Sequence, residues 1–176
     1  MPRESFPPWK KAGARGRRVV SVWEFQSRIH TVREPYEILE HPADVGFLAY
    51  GRTLQQLFEN AALAQCALAC APEKIEERET REISARGGDI ESLLYAWLAE
   101  ILAVADGEQL VFRRIAVTEL REPKPGSPGE VRGALYGEKF DRARHTAGTY
   151  VKAVTLHQFA IERVADGFRA RVFLDV

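Results

Sequence analysis

The chain has 176 residues, 45% of them apolar, with 25 Lys and Arg offset by 25 Asp and Glu, a composition that supports one packed domain and excludes a highly charged disordered chain. The charge is uneven, because residues 1–35 hold eight Lys or Arg against three Glu, a balance of +5 that leaves −5 on residues 36–176. A net-acidic folded part argues against bulk binding of a phosphate backbone, which needs a concentrated basic surface, and suits a metal or a protein partner better.

Residues 1–35 combine Pro7, Pro8, Gly13 and Gly16 with Lys10, Lys11, Arg15, Arg17 and Arg18, and read as a basic, solvated extension in which only Val19, Val20, Val22, Trp23 and Phe25 offer an apolar patch. An Arg-rich, acid-poor leader is also compatible with a transit peptide or with an arm that touches RNA. The domain is predicted over 36–176. YEILE (36–40) and VGFLAYG (45–51) read as strands. Helix 1 follows, with Thr53 as N-cap, Gln56 three residues on as its capping-box partner, and Leu54, Leu57, Phe58, Ala61, Ala64 and Leu68 on one face. EERETREISA (76–85) reads as a charged edge strand. Helix 2 takes Asp89 as its cap, Leu94, Trp97, Leu98, Ile101 and Ala105 as its buried stripe, and Gly107 as its C-terminal turn.

From Leu110 the pattern is β: LVFRRIAVTEL, a Pro/Gly-rich loop at 122–130, VRGALYG, and then YVKAVTLHQFAIER and FRARVFLDV joined at Asp166-Gly167. These elements predict an α+β, two-layer domain of six or seven mostly antiparallel strands with two helices on one sheet face. Cys66 and Cys70 are four apart on a helix with no further Cys or His to close a zinc site, and read as buried thiols. No apolar run reaches membrane-spanning length and no secretory signal is visible, so a cytoplasmic protein is expected.

Two acidic positions draw attention. Asp44, in HPADVGFLAYG, lies between a strand end and a Val-Gly step, where an Asp commonly forms a turn; Asp175 lies next to the carboxylate of Val176. Two acidic stretches and a free C-terminus are able to share one site, or Asp175 simply pairs with a base such as Lys152 in an ion pair of modest worth.

Five segments in order, HPADVGFLAYGRTLQQLFENAA, LYAWLAEILAVAD, GEKFDRARH, VKAVTLHQF and VFLDV, resemble the archease family over about residues 36–176, with Pro42 where many relatives have Thr. The resemblance implies a non-enzymatic accessory protein of an RtcB-type RNA ligase, promoting its guanylylation and multiple turnover in tRNA splicing and RNA repair, with RNA engaged indirectly through the ligase. It also implies a divalent-cation site whose ligands are Asp44, Asp175 and an oxygen of Val176. Such hard oxygen donors suit calcium first, with magnesium or manganese as alternatives.

Around that set, Lys152 resembles the family's lysine and is able to contact a phosphate. His145 and His157 have acid-base or ligand chemistry available but are more often structural. In a regular strand the odd separation of Lys152 and His157 sends them to opposite faces. Asp141 and Glu138 are outer-shell partners or loop caps. The competing readings are a small metal-dependent hydrolase or nuclease built on the same residues, which lacks a phosphate loop, a nucleophile with its base and a zinc pair, and a general chaperone-like module.

Overall fold

The computed structural model describes residues 34–40 and 45–176, all within one compact unit, Arg33–Val176. The apolar patch at 19–25 and most of the basic extension lie outside the described residues, as do Asp44 and Pro42. The elements run β1 (Tyr36–Glu40), β2 (Val45–Gly51), α1 (Leu54–Ala69), a 3-10 turn (Pro72–Lys74), β3 (Glu79–Gly87) and α2 (Ile90–Glu108). There follow β4 (Leu110–Arg121), β5 (Gly129–Lys139), β6 (Ala153–Val164) and β7 (Gly167–Asp175). The α+β class, the two helices and the antiparallel pairing are as the sequence predicts. The strands form two sheets, β1-β2-β7-β6 and β3-β5-β4, a division that local alternation does not encode because it marks strands without naming their partners.

α1 begins where Thr53 turns extended and its side chain accepts from Gln56 N at 3.1 Å. The return bond reaches one residue further than a capping box requires, with Gln56 Oε1 accepting from Arg52 N at 2.9 Å. Leu57, Phe58, Ala61 and Ala64 are buried on its inner face. α2 is closed by a reciprocal box, in which Asp89 accepts from Ser92 N and the Ser92 side chain accepts from Asp89 N. Its Leu93, Leu94, Trp97, Leu98 and Ile101 are buried. The helix does not end at Gly107. It continues to Glu108, and Gln109 takes the left-handed conformation at φ 55°. The reason is tertiary: Phe140 N donates to Gln109 O at 2.9 Å, Lys139 Nζ donates to Glu108 O at 2.6 Å, and Leu110 must enter the core immediately afterwards.

The core joins the inner faces of both sheets to both helices. Phe47 and Ala49 of β2, Ala170 and Val172 of β7, Val131 and Leu135 of β5, and Trp97 are sealed from solvent. Burying the larger of these side chains stabilises by roughly 1.5–3 kcal/mol each, and packing of this kind supplies most of the stability of helices in a folded domain. β3 is an edge strand, as its charges suggest, with every other residue exposed at its start. β6 is the other notable edge. Its pairing with β7 jumps from Thr155↔Phe173 to Ala160↔Arg171, and Gln158 within the bulge has φ 50°.

Close packing is tightest at Gly137 of β5. A Cβ there would lie 1.9 Å from the carbonyl oxygen of Val111 on β4, so the strands must part to admit any side chain. Gly137→Ala is expected to cost about 1–3 kcal/mol, read as a lowered urea midpoint, with the fold retained by circular dichroism.

Candidate functional site

β7 is bracketed by β2 on one side and β6 on the other. Its last pairings are Val45↔Leu174 and Ala153↔Asp175. Val45 directly follows Asp44 in sequence, so chain connectivity keeps Asp44 one residue from the Val45–Leu174 pair, although Asp44 itself is outside the described residues. On the β6 side Lys152 N donates to Asp175 O at 2.8 Å, and Lys152 Nζ donates to Val176 O at 2.9 Å. Asp175 and Val176 are both exposed. The arrangement gathers a carboxylate, a backbone oxygen and an ammonium at one sheet end.

The Lys152–Asp175 ion pair, the alternative to a shared acidic site, is not among the ion pairs of the described residues. The lysine binds the backbone of the last two residues instead, because antiparallel pairing at the strand end directs it along the terminus. No group of three or more His, Cys, Asp or Glu able to hold a metal occurs among the described residues. The described oxygens, the Asp175 carboxylate and Val176 O, are hard donors of the kind calcium and magnesium take. The fit carries a condition: Lys152 already occupies one lone pair of Val176 O, so a cation there must share that oxygen or displace the ammonium.

The remaining candidates do not converge on this end. His145 is 5% exposed and Glu138 3%. His145 Nδ1 accepts from Asp141 N at 3.0 Å, which puts the ring proton on Nε2, 3.1 Å from Glu138 Oε1. Glu138 also accepts from Glu76 N at 2.7 Å and from Arg144 at 2.6 Å. Asp141 accepts from Ala143 N at 2.9 Å and, through its carbonyl, from His145 N, which makes it a loop cap. The GEKFDRARH segment is therefore a clasp, folding residues 138–145 back onto β5 around one buried carboxylate. The sequence leaves Glu138 as an outer-shell partner or a loop cap. Its role as the hub becomes visible only once Glu76 and Arg144, 68 residues apart, are seen to meet at 3.1 Å.

His157 lies in the β6 bulge with its ring 5.9 Å from that of Phe173 and Nε2 3.0 Å from the Gln158 amide nitrogen. The opposite-faces argument for Lys152 and His157 assumes a regular strand. Lys152 precedes β6, and the register shift falls at His157, so the assumption does not apply. Cys66 and Cys70 are buried free thiols as expected, and burial pushes the Cys66 thiol up to about 12. Among the described residues no helix is long and apolar enough to cross a membrane.

These features belong to a known fold and family. The Archease protein family profile matches residues 36–176. A curated archease of Methanosarcina acetivorans is 40% identical over 143 residues, 80% of this chain and 95% of that protein. One from Pyrococcus furiosus is 43% identical over 132 residues, covering 75% and 91%. Among solved structures, the solution structure of Methanobacterium thermoautotrophicum protein 1598 is similar with a TM-score of 0.68 at 32% identity, over 81% of this chain and 99% of that one. A Thermotoga maritima archease, described as a possible chaperone, shares the fold with a TM-score of 0.51 at 20% identity, over 80% and 96% of the two chains. The chain belongs to the archease family.

Two outcomes follow from the chemistry of these groups. Cys66 is expected to resist a thiol-disulfide probe at pH 8 in the native state and to react once urea unfolds the chain, since only the thiolate is reactive. The Arg144 guanidinium, the Glu76 amide and His145 hold the Glu138 carboxyl down at about 2, against an ordinary 4.5. A depressed carboxyl contributes stability that is complete above about pH 4.5 and is lost as pH falls toward 2. Urea midpoints measured across that window are expected to fall for the wild type and to fall less for Glu138→Gln, which starts lower at neutral pH.

Proposed function

We propose that this protein is a non-enzymatic activator of an RtcB-type RNA ligase, which promotes guanylylation and multiple turnover of the ligase and presents a divalent cation at its acidic sheet end. The observation that carries the reading is the meeting of Asp175, Val176 and Lys152 beside the start of β2 in a chain of the archease family. Asp44, Asp175 and Val176 are the proposed ligands, with calcium ahead of magnesium or manganese. Three protein oxygens leave most of a calcium shell to water or to a partner's groups, which is the state an accessory protein needs if its cation is shared with another active site. Lys152 then serves as the counter-charge that keeps the terminus in place before the cation arrives, and as a phosphate contact afterwards. RNA is engaged through the ligase, in a cytoplasmic setting.

The hydrolase reading draws less support, because His145 is committed to Glu138 and His157 to Phe173 and Gln158. A chaperone reading draws on the description of the Thermotoga protein as a possible chaperone. Ligation by the cognate ligase under multiple-turnover conditions separates the three. Wild-type protein is expected to restore turnover, and Asp44→Ala and Asp175→Ala to lose it at least about ten-fold, the scale of one lost charged contact of ~1.4 kcal/mol or more. Unchanged turnover with folded wild-type protein contradicts the reading. Protection of an unrelated aggregating client, equal in wild type and both variants, favours the chaperone.

A further inference from the structure

The face of the β3-β5-β4 sheet that points away from the core carries a group of arginines that its carboxylates do not balance. Arg86 on β3 and Arg121 on β4 are both register partners of Glu130 on the central strand β5, and cross-strand partners lie on one face. Arg132, two residues further along β5, shares that face because side chains alternate, while Val131 between them is sealed in the core. All three guanidiniums reach one carboxylate. Arg132 Nη2 donates to Glu130 Oε1 at 3.0 Å, Arg121 Nη2 donates to Oε2, and Arg86 Nη2 approaches Oε1 at 3.4 Å.

The group is layered. The Glu130 side chain is 7% exposed, whereas those of Arg86, Arg121 and Arg132 are 71%, 58% and 55% exposed. A carboxylate therefore lies beneath three cations that face water. Arg121 and Arg132 already satisfy both of its oxygens, so the charge of Arg86 is more than Glu130 needs. The one further carboxylate that meets the three among the described ion pairs, Glu119, is exposed and lies 4.0 Å from Arg132, an arrangement worth little. By contrast Arg114, on the same face, is matched to Glu77, and Arg169 of β7 to Glu162.

Each guanidinium has five N–H donors in a planar fork, and Glu130 takes only one or two from each. The remaining donors are left to water or to a ligand. The bonds to Glu130 fix where the arginines sit before any ligand arrives, which removes part of the ordering cost of binding. An acceptor that meets three forks at once is compact, multiply charged and rich in oxygen, as a phosphate group is. An extended polyanion fits less well, because residues 36–176 carry −5 overall. Tyr136 of this face, moreover, lies under the Arg114 guanidinium, 3.5 Å from its ring centre, and is not free to stack a base.

We propose that Arg86, Arg121 and Arg132, set in place by Glu130, bind a phosphate dianion, either free or at the end of a phosphate monoester. The site lies on the other sheet from β7 and does not depend on the activator reading.

The test is a titration of the full-length protein with inorganic phosphate at about pH 8, where phosphate is a dianion, followed by amide nitrogen-proton spectra. Reading individual amides separates this face from the basic residues 1–35. Saturable shifts are expected at Arg86, Arg121, Glu130 and Arg132. Arg86→Gln removes the most exposed of the three and is expected to weaken binding at least about ten-fold, the scale of one charge-assisted hydrogen bond, with an unchanged circular dichroism spectrum. Arg114→Gln is expected to bind as wild type does. No saturable shift at these amides with phosphate in large excess, or an affinity that a folded Arg86→Gln leaves unchanged, overturns the proposal. A short oligoribonucleotide with a terminal phosphate, set against the same strand without one, identifies the source. If only the phosphorylated strand displaces phosphate, the ligand is a chain end, and if neither does, it is a small phosphate compound. If both do so equally well, the face takes phosphodiesters and the dianion site is wrong.

Discussion

The arrangement at the C-terminus depends on one constraint, the double pairing of β7. β7 bonds to β2 along one side and β6 along the other, and this double pairing holds the strand as far as Leu174, with Asp175 paired to β6 alone. Ala170, Val172 and Leu174 face the core from this strand, so its register is set by burial, and a slip of one residue would turn all three outward. That register fixes Asp175 opposite Ala153 and Leu174 opposite Val45. The terminus becomes part of a surface because the strand before it is central. Lys152 completes the arrangement by holding the backbone of both final residues.

The polar chemistry of the domain is divided between two places with different work to do. In the Glu138 clasp the carboxylate and His145 are buried while Arg144 and Glu76 reach the surface, and its parts come from β5, the segment after it and the chain before β3. A buried carboxylate that is paired and hydrogen-bonded rigidifies its surroundings, and removing one partner leaves an uncompensated charge. It serves the fold. Among the described residues the Asp175 end is exposed and sparsely bonded, with one ammonium on the Val176 backbone oxygen. Groups left in water at the end of a strand are available to something else, which is why the proposed function is placed at the acidic end and not at the histidine.

Much of this was legible in the residues, for identifiable reasons. The helices announce themselves through Thr53 and Asp89 as caps and through apolar spacing, and both caps accept the bonds expected of them. YEILE and VGFLAYG are strands with the predicted bounds, since alternation and turn residues are local signals. What local signals do not carry is long-range pairing. The division into two sheets, the extension of α2 past Gly107 to a left-handed Gln109, and the convergence of Glu76, Glu138, Arg144 and His145 each depend on residues far apart in sequence. The bulge at Gln158 was hidden for the same reason, because VTLHQFAIER reads as unbroken strand. For the acidic end, the residues alone allow two acidic stretches and the C-terminus to share one site, and the family resemblance adds the divalent-cation ligand set. The described residues bring Lys152, Asp175 and Val176 together, with Asp44 outside them.

The measurement that tests the account most directly is a calcium titration of the protein alone, followed by amide nitrogen-proton correlation spectra. Saturable shifts concentrated at Val45, Lys152, Asp175 and Val176, with the amides of Glu76, Glu138 and His145 unmoved, are what an acidic cation end requires. Shifts centred on the Glu138 clasp, or none at the end of β7 with calcium or magnesium in large excess, would contradict it.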